Sequence, residues 1–381
     1  MSRFAASRRQ VMQAGAASLV LAGAAARKAP ATEAAPQVEP QVEKGIAWYD
    51  VEHWGVEGRG WEQTLRYYDR LPAQARRQVR PAVWNLSRHS AGMCVHFATD
   101  ATAIYARYRL LSPRLAMYHM PATGVSGLDL YVHLPRRGWH WLGISRPRGQ
   151  QVQGALATGL DPAPEPRRFV VYLPLYNGVE KLEIGVPQGA VFRPIPPRRK
   201  GLLVYYGTSI AHGACASRPG MAFPAILGRR LGCPVVNLGF SGNGRLELEL
   251  ADLLGQLEAA VYGIDCLPNL RPEEVEKRTV PFVLRLRKHR PNVPIVLVED
   301  RFYADGVLVT ARRRRNQGNH RAFRQKYQEL VKRGVKGLHY VPAEQLLGSD
   351  GEATTDGSHP NDLGMLRMAD ALQGVFAPLL R

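Results

Sequence analysis

Apolar residues fall along this chain in two rhythms. From Gly201 onward, short unbroken apolar runs alternate with longer segments of helical period. The runs are Leu202 to Tyr206, Val235 to Leu238, Ala260 to Ile264, Pro294 to Val298 and Leu338 to Val341. Each has the length of a strand and is too apolar for a sheet with one wet face. Between them lie helix signals. Pro219 and Gly220 precede a helix to about Leu231; Leu246 to Leu257, Pro272 to His289, a basic helix through Arg333, and Asn361 to Phe376 follow. This repeated alternation predicts an α/β fold, a doubly wound five-stranded, mostly parallel sheet with helices on both faces. Such sheets bind ligands beyond the carboxyl ends of their strands, so the chemistry is expected in the loops that follow them.

Between Gly45 and Pro197 the period shortens. Runs rich in Val, Tyr, Trp and Leu, such as Met93 to Ala98, Thr102 to Leu110, Leu128 to Leu134, Trp139 to Gly143, Phe169 to Leu173 and Lys181 to Val186, are bounded by Gly, Pro, Asp and Arg. That pattern predicts an antiparallel β-sandwich or jelly roll. The basic, proline-rich stretch Arg193 to Lys200 marks the boundary, giving domains over 45–197 and 201–381.

Residues 1–26 stand apart from both. Arg8 and Arg9 precede a small-residue apolar stretch, Ala14 to Ala26, that ends in alanines suited to a signal peptidase. It reads as a twin-arginine signal peptide and predicts a periplasmic or secreted protein. Its apolar run is about a dozen residues, short of the ~20 a bilayer requires, and no other segment is apolar enough to span one. The Ala-, Pro- and Glu-rich residues 27–44 read as a linker.

Composition adds a strong positive charge, 51 Lys and Arg against 32 Asp and Glu for a net +19. Such a charge attracts acidic glycans, anionic membrane surfaces or nucleic acid. The plainer account is an arginine-rich solvated surface, with the densest block, Arg312 to Arg315, on the outer face of the basic helix. No zinc-finger spacing or aromatic RNP-type strand points to nucleic acid. The cysteines are Cys94, Cys215, Cys233 and Cys266, and no pair has metal-ligand spacing. They read either as buried thiols or, for Cys215 and Cys266 near the ends of adjacent strands, as a disulfide.

The loops after the strands hold the informative residues. They read Gly207-Thr208-Ser209-Ile210, Gly239-Phe240-Ser241-Gly242-Asn243-Gly244 and Asp265-Cys266-Leu267-Pro268-Asn269, with Asp356-Gly357-Ser358-His359-Pro360 before the last helix. Acyl transfer needs a nucleophile, a base, a group that orients the base, and donors for the oxyanion. Ser209, His359 and Asp356 supply the first three; the Ser209 and Gly242 backbone N–H groups and the Asn269 side chain supply the last. Each has a plainer alternative: Ser209 as a helix N-cap, His359 as a surface residue, Gly242 as a positive-φ turn, Asn269 as a turn residue. His212 is a rival base, and Asp50 to His53 repeats the Asp-x-x-His pattern out of order. No Gly-x-Ser-x-Gly elbow, zinc spacing or P-loop is present, so no metal or cofactor is expected.

In order and spacing these four blocks resemble the SGNH (GDSL-type) hydrolase superfamily, with Ser209, Gly242, Asn269 and His359 at its four positions and Asp356 completing a triad. Upstream, Gly127-Leu128-Asp129-Leu130-Tyr131 is similar to the GxDLY motif of a β-domain that precedes such hydrolases in bacteria. The first block has Gly-Thr-Ser for Gly-Asp-Ser; the third departs further, which weakens Asn269. The resemblance implies an exported serine esterase, with an acetylated carbohydrate as the favoured substrate. A lysophospholipase or short-chain lipid esterase is the alternative enzyme, and a catalytically silent glycan-binding protein the alternative class. Trp139, Trp141 and Tyr131 suit either a sugar-facing or a domain-packing role. The oligomeric state is not legible.

Overall fold

The computed structural model describes residues 37–380. Residues 1–26, read above as a signal peptide, and most of the expected linker lie outside them. The remainder of the linker is not all irregular: β1 (Gln41–Glu43) pairs antiparallel with β2 (Ile46–Asp50). A long excursion follows, carrying helix α1 (Pro81–Ser87). Then come β3 (Cys94–Thr99), β4 (Ala103–Leu110), a short α2 (Ala122–Val125), β5 (Asp129–Leu134), β6 (Gly138–Ile144), β7 (Gln151–Thr158), β8 (Arg167–Tyr172), β9 (Val179–Pro187) and β10 (Phe192–Ile195). They form two five-stranded antiparallel sheets, ordered β1-β2-β9-β4-β7 and β10-β3-β8-β5-β6.

The two-residue period of a strand explains why the sheets face each other. Val95 and Phe97 of β3, Leu130 of β5, and Phe169 and Val171 of β8 turn inward to meet Ile104 of β4 and Ile184 of β9 in one buried cluster. The intervening residues Cys94, Tyr131, Val170 and Tyr172 turn the other way and form a second cluster with Ala225 of the α/β domain. Besides β1 and β2, two strands lie outside the runs named from the sequence. β7 is an edge strand, mostly exposed, with Gly and Ala at its centre. β10 lies at the edge of its sheet, where Pro194 costs no ladder bond, inside the stretch read as a boundary.

The C-terminal part comprises β11 (Leu202–Gly207), α3 (Ser209–His212), α4 (Phe223–Leu231), β12 (Val235–Gly239), α5 (Leu248–Leu254), β13 (Ala259–Asp265), α6 (Pro272–His289), β14 (Ile295–Val298), α7 (Thr310–Lys332), β15 (Leu338–Val341) and α8 (Asp362–Phe376). All five strands are parallel, in the order β12-β11-β13-β14-β15. The order reverses beside β11, so the crevice for a ligand opens at the carboxyl end of that strand. Alternation again divides the residues: Val204 and Tyr206 join the core on the α5–α6 side, Leu203 and Tyr205 the core under α4 and α8.

The boundary at residue 200 does not divide the cores. Leu71, Ala75, Val79, Val83 and Trp84, from the excursion before β3, are buried in the same cluster as Val204, Val236 and Leu250. A second tie is ionic. Arg198, in the connection to β11, donates through Nε and Nη2 to the two oxygens of the buried Glu57, at 2.8 and 2.5 Å. Burial alone would raise the Glu57 carboxyl, but hydrogen bonds from His96 and Arg198 outweigh it and hold the pKa at about 2, below its usual 4.5. A depressed carboxylate stabilises the fold above its unfolded pKa, and that stability is lost as the pH falls towards the folded value. Glu57→Gln should therefore cost roughly 3 kcal/mol at neutral pH. It should also remove part of the stability change between pH 4.5 and 2, as read by urea unfolding across that range.

Candidate active site

The sequence around Ser209 builds a sharp strand-to-helix turn. β11 ends at Gly207, and Thr208 caps α3, its hydroxyl accepting from the Ile210 N–H at 3.4 Å. Ser209 is thus the first residue of the helix and not its cap. Thr and Asp share the capping role, which explains why Gly-Thr-Ser can stand for Gly-Asp-Ser. Ser209 Oγ lies 2.8 Å from His359 Nε2, and His359 Nδ1 lies 2.7 Å from Asp356 Oδ2. The other Asp356 oxygen accepts from the Ser358 and His359 amides at 3.0 and 2.8 Å. Burial raises the Asp356 carboxyl, yet these bonds from His359 and Ser358 prevail and leave it below the ordinary carboxylate range. The turn is tied to the serine loop from outside: Asp362, at the start of α8, accepts from Ser217 N and Oγ at 2.9 and 2.5 Å.

The loop after β12 is held against the end of β11. A Cβ on Gly244 would stand 2.0 Å from the Gly207 carbonyl oxygen, so only glycine permits this approach. Gly242 has φ +68°, so the turn reading of that residue holds alongside the proposed one. Two arginines from the excursion grip the loop. Arg70, buried, donates through Nη1 to the carbonyls of Asn237 and Gly239 at 3.1 and 2.8 Å. Arg80 donates to the Asn243 side chain at 2.7 Å and to Glu247 at 2.5 Å. Asn269 sits in a 3₁₀ turn, and assigning its amide by hydrogen bonding places the oxygen to accept from the Asn243 and Gly244 N–H groups at 3.0 and 3.2 Å. Arg315 and Asn319 of α7 hold that turn, donating to the Pro268 and Leu270 carbonyls at 2.7 Å and 3.1 Å, respectively. The arginine run is therefore not wholly a solvated face. Asp265, in the same block, is buried against Arg301, with Nη1 to Oδ2 at 3.0 Å, and has no part at the site surface.

Other sequence candidates lie elsewhere. His212 is fully buried, stacked on Tyr176 at 4.1 Å between ring centres. Burial, then the charge of Arg70, drives its pKa far below the usual imidazole value, which suits a packing residue rather than a base for Ser209. Asp50 caps a turn, accepting from Glu52 N at 3.1 Å. All four cysteines are free and buried, so Cys215 and Cys266 are not linked. Cys266 points into the core with Tyr206, while Cys215 lies by Thr355. Tyr131, Trp139 and Trp141 lie on the second sheet of the sandwich, and Trp141 donates to Asp129 at 3.0 Å. Asp129 also accepts from Gly220 N at 2.8 Å and Arg218 at 2.9 Å, so it holds the loop that follows the serine helix.

The sequence reading missed two features. His119, from the loop after β4, brings its ring to 6.0 Å from that of His359; burial and then the His359 charge lower its pKa. No spacing could reveal a residue 240 positions from its neighbour. Glu57, Cys94 and His96 bring potential metal-ligating atoms within 4.8 Å of one another, although the cysteines show no ligand spacing. Arg198 already occupies both Glu57 oxygens, and burial, then the Glu57 charge, raise the Cys94 thiol well above its usual value. A protonated thiol and an ion-paired carboxylate fit a divalent ion poorly.

A GDSL-like lipase/acylhydrolase family model matches residues 200–377, and the GxDLY model, the N-terminus of SGNH-hydrolase-type esterases, matches residues 46–192. A GDSL-like lipase structure from Bacteroides ovatus is 33% identical over 88% of this chain and 98% of that one, with a TM-score of 0.83. The chain belongs to the GDSL-like lipase/acylhydrolase family. Two more distant structures share the fold of this acylhydrolase. A salicylyl-acyltransferase from a tetracycline biosynthetic pathway is 18% identical over 91% of this chain and 94% of that one, TM-score 0.62. A family two carbohydrate esterase from Cellvibrio japonicus is 12% identical over 88% and 98%, TM-score 0.56. No protein of curated function matches the chain in sequence.

The grip of Arg70 on the acylhydrolase loop is testable. A lysine keeps the charge but not the planar fork, so Arg70→Lys should leave carbonyls at the end of β12 without donors. The expected result is a loss of roughly 2–4 kcal/mol in unfolding free energy. A fall in kcat on a small aryl ester, with KM little changed, should accompany it.

Proposed function

We propose that this acylhydrolase is an exported serine esterase that removes an O-acetyl group from a carbohydrate. The observation that carries the reading is the Ser209–His359–Asp356 relay, at 2.8 and 2.7 Å, in loops at the carboxyl ends of the sheet. His359 Nε2 takes the Ser209 proton as Oγ attacks the ester carbonyl, and Asp356 fixes the ring tautomer and stabilises the imidazolium. The Ser209 and Gly242 N–H groups and the Asn269 side chain are the proposed donors to the oxyanion. Collapse gives the acyl-serine, with the His359 proton passing to the departing sugar oxygen. Water, deprotonated by His359, then releases acetate. The fold shared with a carbohydrate esterase supports the choice of substrate. The paired arginines ahead of an apolar stretch support export; among the described residues no helix is long and apolar enough to cross a membrane.

A second reading, a lipid or longer-chain ester, has its own observation. Val307 and Leu308 are 77% and 86% exposed, in a segment whose Ala304 N–H donates to Gly357 within the Asp356–His359 turn at 2.9 Å. Apolar side chains in water beside the proposed base suit an acyl chain. A chain-length series of aryl esters, run beside acetylated xylan and a lysophospholipid, separates the two: acetate release from glycan alone favours the first reading, turnover rising with chain length the second.

Ser209→Ala and His359→Ala should each lower kcat by several orders of magnitude in a folded protein, and the double variant should be little worse than either, since the residues act as a unit. Near-normal turnover by Ser209→Ala would remove the assignment of the nucleophile, whereas no turnover of any ester by the unaltered protein would leave a silent glycan-binding protein. Asn269→Ala should cost about 10²- to 10³-fold in kcat with KM nearly constant. An unchanged kcat would return Asn269 to a turn role.

A further inference from the structure

Away from Ser209 and His359, the outer face of the second sheet and helix α4 enclose a cavity of about 880 Å³. Strand alternation selects its aromatic wall: Tyr131, Trp139 and Tyr172 are lining residues that face away from the sandwich core. The ring of Trp139 lies 6.0 Å from that of His96 and 5.1 Å from that of His133. The cavity is cationic. Arg137, Arg168, Arg198, Arg218, Arg229 and Arg230 line it, against Glu57 as the lining carboxylate. Arg198 pairs with Glu57, Arg218 with Asp129 and Arg230 with Asp370. The other three have no carboxylate partner among the described residues.

Arg229 is the telling one. Its guanidinium stands over the Tyr131 and Tyr172 rings at 4.1 and 5.2 Å, and its Nη2 donates to the Gly220 carbonyl at 2.8 Å. Its Nη1 is buried with no acceptor among the described residues. Buried guanidinium N–H groups ordinarily find an acceptor, and the fork geometry matches carboxylate or sulfate oxygens. The volume lies at the upper end of the range for ligand pockets, about 300–1,000 Å³, and exceeds what one small ion needs. Aromatic faces beside the arginines suit the C–H face of a sugar ring.

The geometry points to an accessory binding site for a segment of acidic saccharide, a chain bearing uronate carboxylates. The saccharide nature of the ligand rests on the carbohydrate-ester reading; the anionic nature rests on the cavity itself. The loop after the serine helix separates cavity from relay: Ser217 bonds to Asp362 beside His359, and the next residue, Arg218, bonds to Asp129 and Tyr131. A polymer held at Arg218 is thereby held next to the ester site, which raises the local concentration of its acyl groups.

Calorimetric titration of the full chain with tetragalacturonate, xylotetraose and inorganic sulfate tests this. Tetragalacturonate should bind, more weakly as salt rises, and xylotetraose should not. The exposed pair Arg137→Gln/Arg168→Gln should weaken binding at least about tenfold, and Arg229→Gln should do so independently, while turnover of a small aryl acetate stays unchanged in the exposed pair. No binding by the wild type, equal binding of xylotetraose, displacement by equimolar sulfate, or binding unaffected by both variants would each overturn the site. Binding without any esterase turnover would sink the catalytic reading alone and leave the cavity assignment standing.

Discussion

Arg70 is buried without a carboxylate beside it, and the structure around it is arranged to supply the acceptors it would otherwise take from water. Nε donates to His89 O at 2.9 Å, Nη1 to Asn237 O and Gly239 O at 3.1 and 2.8 Å, and Nη2 to Leu86 O at 2.7 Å. Burial lowers its pKa to about 9, so the group stays charged at neutral pH. A charge held this way is costly to leave partly satisfied. Meeting its demand fixes the end of α1 relative to the end of β12. The β-sandwich half and the loop carrying Gly242 are therefore positioned by one side chain.

The same logic recurs around Ser209 and His359, where short segments are held by partners distant in sequence. Asp362 and Ser217 join the His359 turn to the serine loop. Arg315 and Asn319 hold the turn with Asn269, and Arg80 grips Asn243. Loops positioned by a rigid scaffold can keep one geometry while the rim around them varies. Here one part of the rim is apolar, at Val307 and Leu308, and another brings His119 to the relay, preceded by Tyr118 at 96% exposure. Structures sharing this fold include both an acyltransferase and a carbohydrate esterase.

The parallel strands and the Asp356–His359 pair were legible because their signals are local, and the meeting of His359 with Ser209, 150 positions away, was expected only from the resemblance. A strand buried on both faces is a continuous apolar run, and Asp356 and His359 share one turn. Pro272–His289 matched its expected limits, with Pro272 at the start and basic residues in the last turn. Features that depend on distant partners were not legible. β7 carries only a weak apolar alternation, Val152 and Leu156 with Gly154 between them, because it is an exposed edge. Arg70 and Arg315 look like solvent-facing charges until the carbonyls they serve are brought to them by the fold. Cys215 and Cys266 lie near the ends of neighbouring strands, but their side chains point into different surroundings, which strand adjacency does not disclose.

The shared core has a consequence for how the protein is made. Leu71, Val83 and Trp84 leave the ribosome well before β12 and α5, the elements that bury them. Until residues 235–254 follow, the first half carries an apolar face and an arginine fork whose acceptors at Asn237 and Gly239 do not yet exist. The sandwich can close early, but it remains a template awaiting its second half. A nascent chain of this design is most exposed to aggregation midway through synthesis, and a cut at residue 200 would yield two fragments that each lack part of their interior.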